Sequence, residues 1–131
     1  MANKSNNNQR RTGRRQLASG SVPWVLIVDD DTFFVEVMIQ MLAKWNIKPD
    51  FCFSGKDALD RVKQLMVSNG PNSGCMYDLI LVDYKMPVMD GPEFIKSLRK
   101  LLSESANANN SNIKTPYICC CTEFRELNYK K

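Results

Sequence analysis

Two short runs of apolar residues in this sequence each lead directly into aspartate. VPWVLIV (Val22–Val28) is followed by three consecutive acids, Asp29–Asp31, and the run Tyr77–Val82 is followed by Asp83. A short, nearly continuous run of branched residues is typical of a strand that is covered on both faces, as in parallel sheets. The sequence therefore predicts two buried strands that each end by presenting carboxylates.

Three other segments show the apolar spacing of amphipathic helices, and two further short strands are predicted. In chain order, the remaining elements are a helix at Asp31–Trp45, a strand at about Asp50–Phe53, a helix from Ser54-Gly55 to Met66, a loop at Ser68–Gly74, a helix from Gly91 to Leu102, a loop at Ser103–Asn112 and a strand at Thr115–Thr122. The apolar face predicted for the first helix contains Phe34, Val37, Met38, Met41, Leu42 and Trp45. Strands that alternate with helices form parallel sheets with right-handed crossovers. We therefore predict an α/β fold with a doubly wound parallel sheet of four strands and three helices.

The composition limits the classes of protein to which the chain can belong. It has 131 residues, which suits one domain, and 44% of them are hydrophobic, as in ordinary globular proteins. No apolar run reaches the roughly 20 residues that span a membrane, and the polar N-terminus lacks a secretory signal, so we expect a cytoplasmic or nuclear protein without a membrane partner. The absence of histidine excludes a histidine phosphodonor and a Ser-His-Asp triad. The five cysteines have no C-x-x-C spacing, and we interpret them as small residues of the strand core.

The N-terminal segment differs from the rest of the chain in charge and composition. Residues 1–21 are rich in asparagine and contain five basic residues and no acid, although the whole chain has a net charge of only +4. Such a segment has almost nothing to bury, and we predict a disordered tail or linker. No aromatic residue separates its arginines, so specific nucleic-acid binding is not expected. The predicted domain therefore comprises residues 22–131.

The acids at the strand ends are candidate ligands and nucleophiles. In open parallel sheets the carboxyl ends of the strands form the ligand-binding edge, so Asp29, Asp30, Asp83 and Thr122 converge if the first and third strands are neighbours. Clustered carboxylates repel each other unless a cation is bound, and oxygen ligands at this density suit Mg²⁺. A carboxylate beside Mg²⁺ can attack a phosphoryl group, and a threonine hydroxyl can bind a phosphoryl oxygen. Asp31 precedes the first helical turn and is predicted to be its N-cap.

Four segments together resemble the receiver domain of response regulators in two-component phosphorelays. They are VLIVDDD, LILVDYKMPVMDG, GKDALDRVKQL and the strand that ends in Thr122. The resemblance extends over residues 23–122. It implies a flavodoxin-like fold and a signalling module, with no enzymatic activity beyond the chemistry of its own aspartate. It also implies a phosphohistidine donor, which would be a histidine kinase, a histidine phosphotransfer protein or a parent hybrid kinase in cis.

The resemblance also implies roles for individual residues. Asp83 would be the phosphoacceptor and would contribute to the Mg²⁺ site. Asp30 would bind Mg²⁺ directly, Asp29 largely through water, and Lys85 through its backbone carbonyl. Thr122 would be the switch hydroxyl that follows the phosphoryl group. The residues implied to shape the loop after the third strand are Pro87, Asp90 and Gly91.

The sequence departs from the receiver pattern after the fourth predicted strand. The family has a fifth strand that ends in a lysine facing the phosphoacceptor, but only nine residues follow Thr122, and Lys130 and Lys131 are too close to it. We therefore expect a domain without the fifth strand, the last helix and the catalytic lysine, with marginal stability and poor phosphoryl transfer. Glu123 follows the threonine where the family has a small residue, and we expect its charge and bulk to slow the transfer further.

Two other functions fit parts of the pattern. A pseudo-receiver would keep the fold as a protein-docking surface without being phosphorylated, and Glu123 and the expected loss of the lysine favour it. A haloacid-dehalogenase-type phosphohydrolase also uses an aspartate and Mg²⁺, but its D-x-D-x-T motif requires a threonine one position after Thr32. The intact candidates of the acidic site favour a phosphorylatable receiver.

Overall fold

The computed structural model describes residues 21–70, 73–109 and 113–121. These residues form four strands and three helices, which alternate along the chain as predicted. Their bounds are β1 (Val25–Val28), α1 (Thr32–Ala43), β2 (Asp50–Cys52), α2 (Gly55–Asn69), β3 (Leu79–Asp83), α3 (Gly91–Asn109) and β4 (Tyr117–Cys121). Nearly all of the predicted tail, together with Thr122 and Glu123, lies outside the described residues.

All four strands are parallel and belong to one sheet, in the order β2-β1-β3-β4. This is the strand order of flavodoxin-like doubly wound sheets. The predicted α/β doubly wound parallel sheet is confirmed. So is the pairing of the first strand with the third, on which the predicted convergence of the acids depends.

Helices cover both faces of this sheet. α2 and α3 pack on one face, over a core that includes Leu26, Val62 and Phe94. α1 packs on the other face, where Val35 contacts the cluster around Ile27. β1 lies in the middle of the sheet and its four side chains are at most 2% exposed. Burial on both faces explains why its sequence is continuously apolar, since each such side chain contributes about 1.5–3 kcal/mol when removed from water.

Three strands begin later than predicted, β3 at Leu79 in place of Tyr77, and β1 and β4 because a proline lies near their predicted start. The predictions began at Val22 and Thr115, but Pro23 and Pro116 have no N–H to donate to a neighbouring strand. Both ladders therefore begin within two residues after the proline.

α3 continues seven residues beyond its predicted end at Leu102. The predicted loop at Ser103–Asn112 is therefore wrong over its first seven residues. Ala106 continues the row of apolar residues spaced four apart on this helix and packs against the core, which extends the helix beyond the part with large side chains. The residues of this α3 row are Phe94, Leu98, Leu102 and Ala106.

α2 is also longer than predicted, since it includes Ser68 and Asn69, which were predicted to begin a loop.

The buried face of α1 is rotated from the predicted one, although Met38 and Leu42 of the predicted face do pack against the core. Val35 is fully buried, and Met38, Ile39 and Leu42 are partly buried beside it. The helix is apolar around most of its circumference, so the spacing of its residues fits more than one buried face. The members of the predicted face that are exposed instead are Val37, Met41 and Trp45.

None of the described helices is long and apolar enough to cross a membrane.

The cysteines do not all belong to the core. Cys52 and Cys75 are buried, as predicted, and Cys120 and Cys121 are half-buried. Cys119 is exposed, so the core interpretation is wrong for this residue. It belongs to β4, which lies at an edge of the described sheet, and residues there have a neighbouring strand on one side only.

Candidate functional site

Three carboxylates meet at the carboxyl edge of the sheet. β1 leads into Asp29 and Asp30, β3 ends at Asp83, and the two strands pair in register up to Val28 and Val82. One carboxylate oxygen from each of the three aspartates lies within 4.8 Å of the others. Asp29 is buried, Asp83 is partly buried and Asp30 is exposed. The fold therefore brings three of the predicted site residues into one cluster that solvent reaches from the side of Asp30.

The backbone around Asp29 fixes its carboxylate in this cluster. The Asp29 N–H donates to the Cys52 carbonyl at 3.1 Å, which ties the end of β1 to β2. The Asp31 N–H then donates to Oδ1 of Asp29 at 2.9 Å. Asp31 itself points its carboxylate at the start of α1, where Oδ1 accepts from the N–H groups of Phe33 at 3.0 Å and Phe34 at 3.4 Å. Asp31 is the helix N-cap, as expected, and Asp29 and Asp30 remain for the cluster.

Two substitutions of Asp31 distinguish the contribution of its capping hydrogen bonds to stability from that of its negative charge. Asp31→Ala removes both, and we expect it to lower the free energy of unfolding by about 1 kcal/mol, whereas Asp31→Asn keeps an acceptor oxygen and costs only a few tenths. Urea unfolding of the two variants measures the difference. Equal stability of the alanine and asparagine variants would show that the cap contributes nothing.

Burial and mutual repulsion raise the pKa values of the acids in the cluster. The pKa of Asp83 is raised to about 6, chiefly by burial and then by the negative charges of Asp29 and Asp30, while the nearby backbone N–H groups of Lys85 and Tyr84 oppose this. Burial is also the main cause that raises the pKa of Asp29. The site therefore holds three negative charges at an energetic cost when no cation is present.

This donor set fits a hard divalent cation. Carboxylate oxygens are the ligands that Mg²⁺ and similar ions prefer, and the three aspartates are close enough to share one ion. A bound cation would reverse the repulsion that raises their pKa values. The cluster can therefore serve as a metal centre at the end of β3.

The loop after β3 returns the chain tightly over the Asp83 backbone. The Gly91 N–H donates to the Tyr84 carbonyl at 2.9 Å, and the Met89 N–H donates to the Pro87 carbonyl at 2.7 Å. Oδ1 of Asp90 accepts from the N–H of Glu93 at 2.9 Å, at the start of α3. The residues predicted to shape this loop therefore close a short turn and cap the helix that follows it.

Gly91 is required by the close approach of this turn to β3. A Cβ atom at position 91 would lie 2.5 Å from the Asp83 carbonyl oxygen and 3.0 Å from the Cys120 Sγ. The first of these contacts is with backbone, which cannot move without moving the end of β3. The absence of a side chain at Gly91 thus helps to set the position of Asp83.

The sequence interpretation missed Cys121 as a neighbour of the site. The residue lies beside Asp83 in the register of β3 and β4, and the Tyr84 N–H donates to its carbonyl at 2.7 Å. Burial and, next, the Cys119 thiol raise the pKa of Cys121 to about 11. The alternation of side chains along β4 was the signal that could have placed it on the face of Asp83.

The sequence also matches a known family over most of its length. The family model described as response regulator receiver domain matches residues 25–122. This chain belongs to the response regulator receiver family. Receiver domains are signalling modules of two-component systems, and the resemblance predicted from the motifs is confirmed.

Relatives of this receiver domain occur in histidine kinases and in response regulators. It is 33% identical over 97 residues to hybrid signal transduction histidine kinase L of Dictyostelium discoideum, which covers 72% of this chain and 5% of that protein. It is 36% identical over 80 residues to two-component response regulator 24 of Arabidopsis thaliana, which covers 61% of this chain and 51% of that protein. The chain thus spans a small part of the kinase and about half of the response regulator.

A solved receiver domain has the same fold. It is the receiver domain of the histidine kinase CKI1 from Arabidopsis thaliana in complex with Mg²⁺ and BeF₃⁻, with a TM-score of 0.62 and 27% sequence identity. The match covers 81% of this chain and 72% of that one. Membership of the receiver family and these relatives are consistent with phosphorelay signal transduction.

Proposed function

We propose that this receiver domain accepts a phosphoryl group on Asp83 from a phosphohistidine donor, with Mg²⁺ bound in the acidic cluster. The observation that carries the proposal is the placement of the Asp83 carboxylate at the end of β3, with an oxygen within 4.8 Å of those of Asp29 and Asp30. The donor would be a histidine kinase or a histidine phosphotransfer protein, and a parent hybrid kinase could act in cis. These partners would place the domain in the cytoplasm or the nucleus.

The proposed metal ligands come from both strand ends. Asp30, which is exposed, would bind Mg²⁺ directly, and the buried Asp29 would act largely through water. Asp83 and the backbone carbonyl of Lys85 would complete the protein's ligands. When bound, Mg²⁺ supplies positive charge that neutralises the phosphoryl oxygens. A solved receiver domain that carries Mg²⁺ and BeF₃⁻ supports the choice of Mg²⁺ as the cation.

The nucleophile would be one oxygen of the Asp83 carboxylate. This oxygen would form a bond to phosphorus while the bond between phosphorus and the donor imidazole nitrogen breaks, and the imidazole leaves with the electron pair. The backbone N–H of Lys85 would orient this carboxylate during the attack, while the N–H of Tyr84 is used by the Cys121 carbonyl. Thr122 follows β4 directly, and its hydroxyl would bind a phosphoryl oxygen of the product.

The proposal also includes the domain bounds. Residues 22–131 would form the receiver domain and residues 1–21 a basic, asparagine-rich linker, which agrees with a family match that begins at residue 25. The linker composition does not favour specific nucleic-acid binding.

A pseudo-receiver that docks partners without being phosphorylated is the second candidate function. Glu123, immediately after the proposed switch threonine, favours it because a glutamate adds negative charge where a phosphoryl group would approach. The phosphohydrolase alternative is less supported than either receiver function, because the family match is to receivers and the D-x-D-x-T motif is incomplete.

Binding of a phosphoryl mimic tests the proposal. We expect beryllofluoride with Mg²⁺ to raise the melting temperature of the wild-type chain by about 5 °C, because it would bind the folded state only. Asp83→Asn should abolish the shift. Asp31→Asn is the matched control, since it removes an acid next to the cluster but keeps the helix cap, and its shift should equal that of the wild type. An unchanged shift in Asp83→Asn, or no shift in a folded wild-type chain, would contradict the proposal.

A further inference from the structure

Two thiols lie side by side on one face of β4. Side chains alternate along a strand, and in β4 Ile118 and Cys120 point to the core beneath α3. Cys119 and Cys121 therefore point to the opposite face, where Cys119 is exposed and Cys121 is half-buried. After burial, the nearby Cys119 thiol is the next cause of the raised pKa of Cys121. The pair is consequently a preformed dithiol that solvent can reach.

The position of Cys120 supports this division of the strand. Its Sγ lies so close to α3 that a Cβ atom on Gly91 would be 3.0 Å from it. Cys119 and Cys121 are instead in register with Leu81 and Asp83 of β3. Of the three consecutive cysteines, Cys119 and Cys121 thus form a pair in which Cys119 is exposed and Cys121 half-buried, and Cys120 is a separate thiol that faces a helix.

The geometry of the strand favours bridging of this pair by a metal ion over a disulfide. Two residues of strand separate the Cα atoms by about 6.4–6.8 Å, which is at the upper end of the range for disulfides. β4 is held in register with β3 at all three cysteines, so a closer approach would disturb the ladder. A metal ion with metal–sulfur bonds of about 2.3 Å can join the two sulfur atoms without moving the strand.

The available ligands select the kind of ion. The chain contains no histidine, so the pair offers two sulfur ligands and no imidazole. Structural zinc sites have four protein ligands, and hard cations prefer oxygen. Soft thiolates select Cu(I), which is stable with as few as two sulfur ligands.

We infer that Cys119 and Cys121 form a binding site for a soft, thiophilic metal ion of the Cu(I) class. On binding, each thiol releases its proton to solvent and each sulfur donates an electron pair to the metal, which keeps its oxidation state. The inference does not depend on phosphorylation of the domain. It adds a second site, on β4 next to the acidic cluster. This site has soft sulfur ligands, whereas the cluster has hard oxygen ligands.

Competition for Cu(I) tests this site in the full chain. Cu(I) is supplied without oxygen as its complex with a chromophoric chelator, and loss of the chelate colour reports transfer to the protein. We expect the wild type to take one equivalent, and Cys119→Ser and Cys121→Ser each to weaken its affinity at least about tenfold. Cys120→Ser is the matched control, because it changes the intervening residue on the opposite face, and its affinity should equal that of the wild type.

Three outcomes would contradict the inference. The wild-type chain could take no Cu(I) from the chelator, Cys120→Ser could lose as much affinity for Cu(I) as the other two variants, or Cys119→Ser could keep the affinity of the wild type. Circular dichroism checks that each variant is folded. If Cys121→Ser does not fold, Cys119→Ser alone decides, because its side chain is exposed and its replacement leaves the core intact.

Discussion

Asp83→Asn is expected to raise the free energy of unfolding by about 1–2 kcal/mol near pH 7.5 in EDTA, although it removes the proposed reactive group. The pKa of Asp83 is raised to about 6 in the fold, from 3.8, mainly by burial and then by Asp29 and Asp30. A shift of this size corresponds to about 3 kcal/mol, which we reduce because the side chain is partly open to solvent. Asparagine has a similar shape and no charge, so it relieves the repulsion.

The effect has a defined direction with pH. A carboxyl group whose pKa is higher in the folded state binds its proton more tightly there, so its stabilising contribution is complete below pH 3.8 and is lost as the pH rises through about 6. The advantage of Asp83→Asn should therefore shrink as the pH falls from about 7 to about 4. Millimolar Mg²⁺ should also reduce it, because the cation stabilises the wild-type cluster.

Urea unfolding at several pH values, with EDTA and with Mg²⁺, measures this effect. Asp60→Asn is the control, since Asp60 is an exposed acid on α2, and we expect it to change stability by less than about 0.5 kcal/mol at every pH. A wild type that is as stable as Asp83→Asn near neutral pH in EDTA would show that the acidic cluster is not strained.

Gly91→Ala is expected to destabilise the domain by about 2–4 kcal/mol and to weaken Mg²⁺ binding. The new Cβ would lie 2.5 Å from the Asp83 carbonyl oxygen and 3.0 Å from the Cα of Tyr84, so either the end of β3 or the start of α3 must move. A shift of the Asp83 backbone carries its carboxylate away from Asp29 and Asp30. Stability and cation binding should therefore fall together.

Gly55→Ala is a matched control for this substitution. Gly55 and Gly91 are each the first residue of a helix, but a Cβ at position 55 meets only the flexible Met89 side chain, at 3.0 Å. We expect Gly55→Ala to change stability by less than about 1 kcal/mol and to leave Mg²⁺ binding intact, as followed by urea unfolding and calorimetric titration. Equal effects of the two alanines would mean that the contact with Asp83 is not what makes Gly91 necessary.

The sheet could be predicted from sequence because its strands are short, branched and buried on both faces. The patterns of Val25–Val28 and Leu79–Asp83 predict buried parallel strands, whereas the pairing of these two strands was an assumption that the resemblance to receivers supported and the structure confirms. The length of α3 could not be predicted, because Ala106 contributes to the core with one methyl group inside a polar segment. The buried face of α1 could be predicted only in part, at Met38 and Leu42, since Val35 and Val37 are equally apolar and only packing distinguishes them.

The acidic cluster was predictable for a similar reason: strand ends in a parallel sheet meet at one edge, which brings Asp83 to Asp29 and Asp30. The features that depend on distances between strands could not be predicted from the sequence. The raised pKa of Asp83, the contact that requires Gly91 and the position of Cys121 all follow from the register of β1, β3 and β4.

Mass spectrometry after incubation with acetyl phosphate and Mg²⁺ tests the central claim most directly. We predict one added phosphoryl group per chain, located on Asp83 by peptide mapping of the borohydride-reduced adduct. EDTA and Asp83→Asn should each abolish it, and Asp31→Asn should retain it. A folded wild-type chain that gains no phosphoryl group, or gains it at another residue, would contradict the claim that Asp83 is the phosphoacceptor.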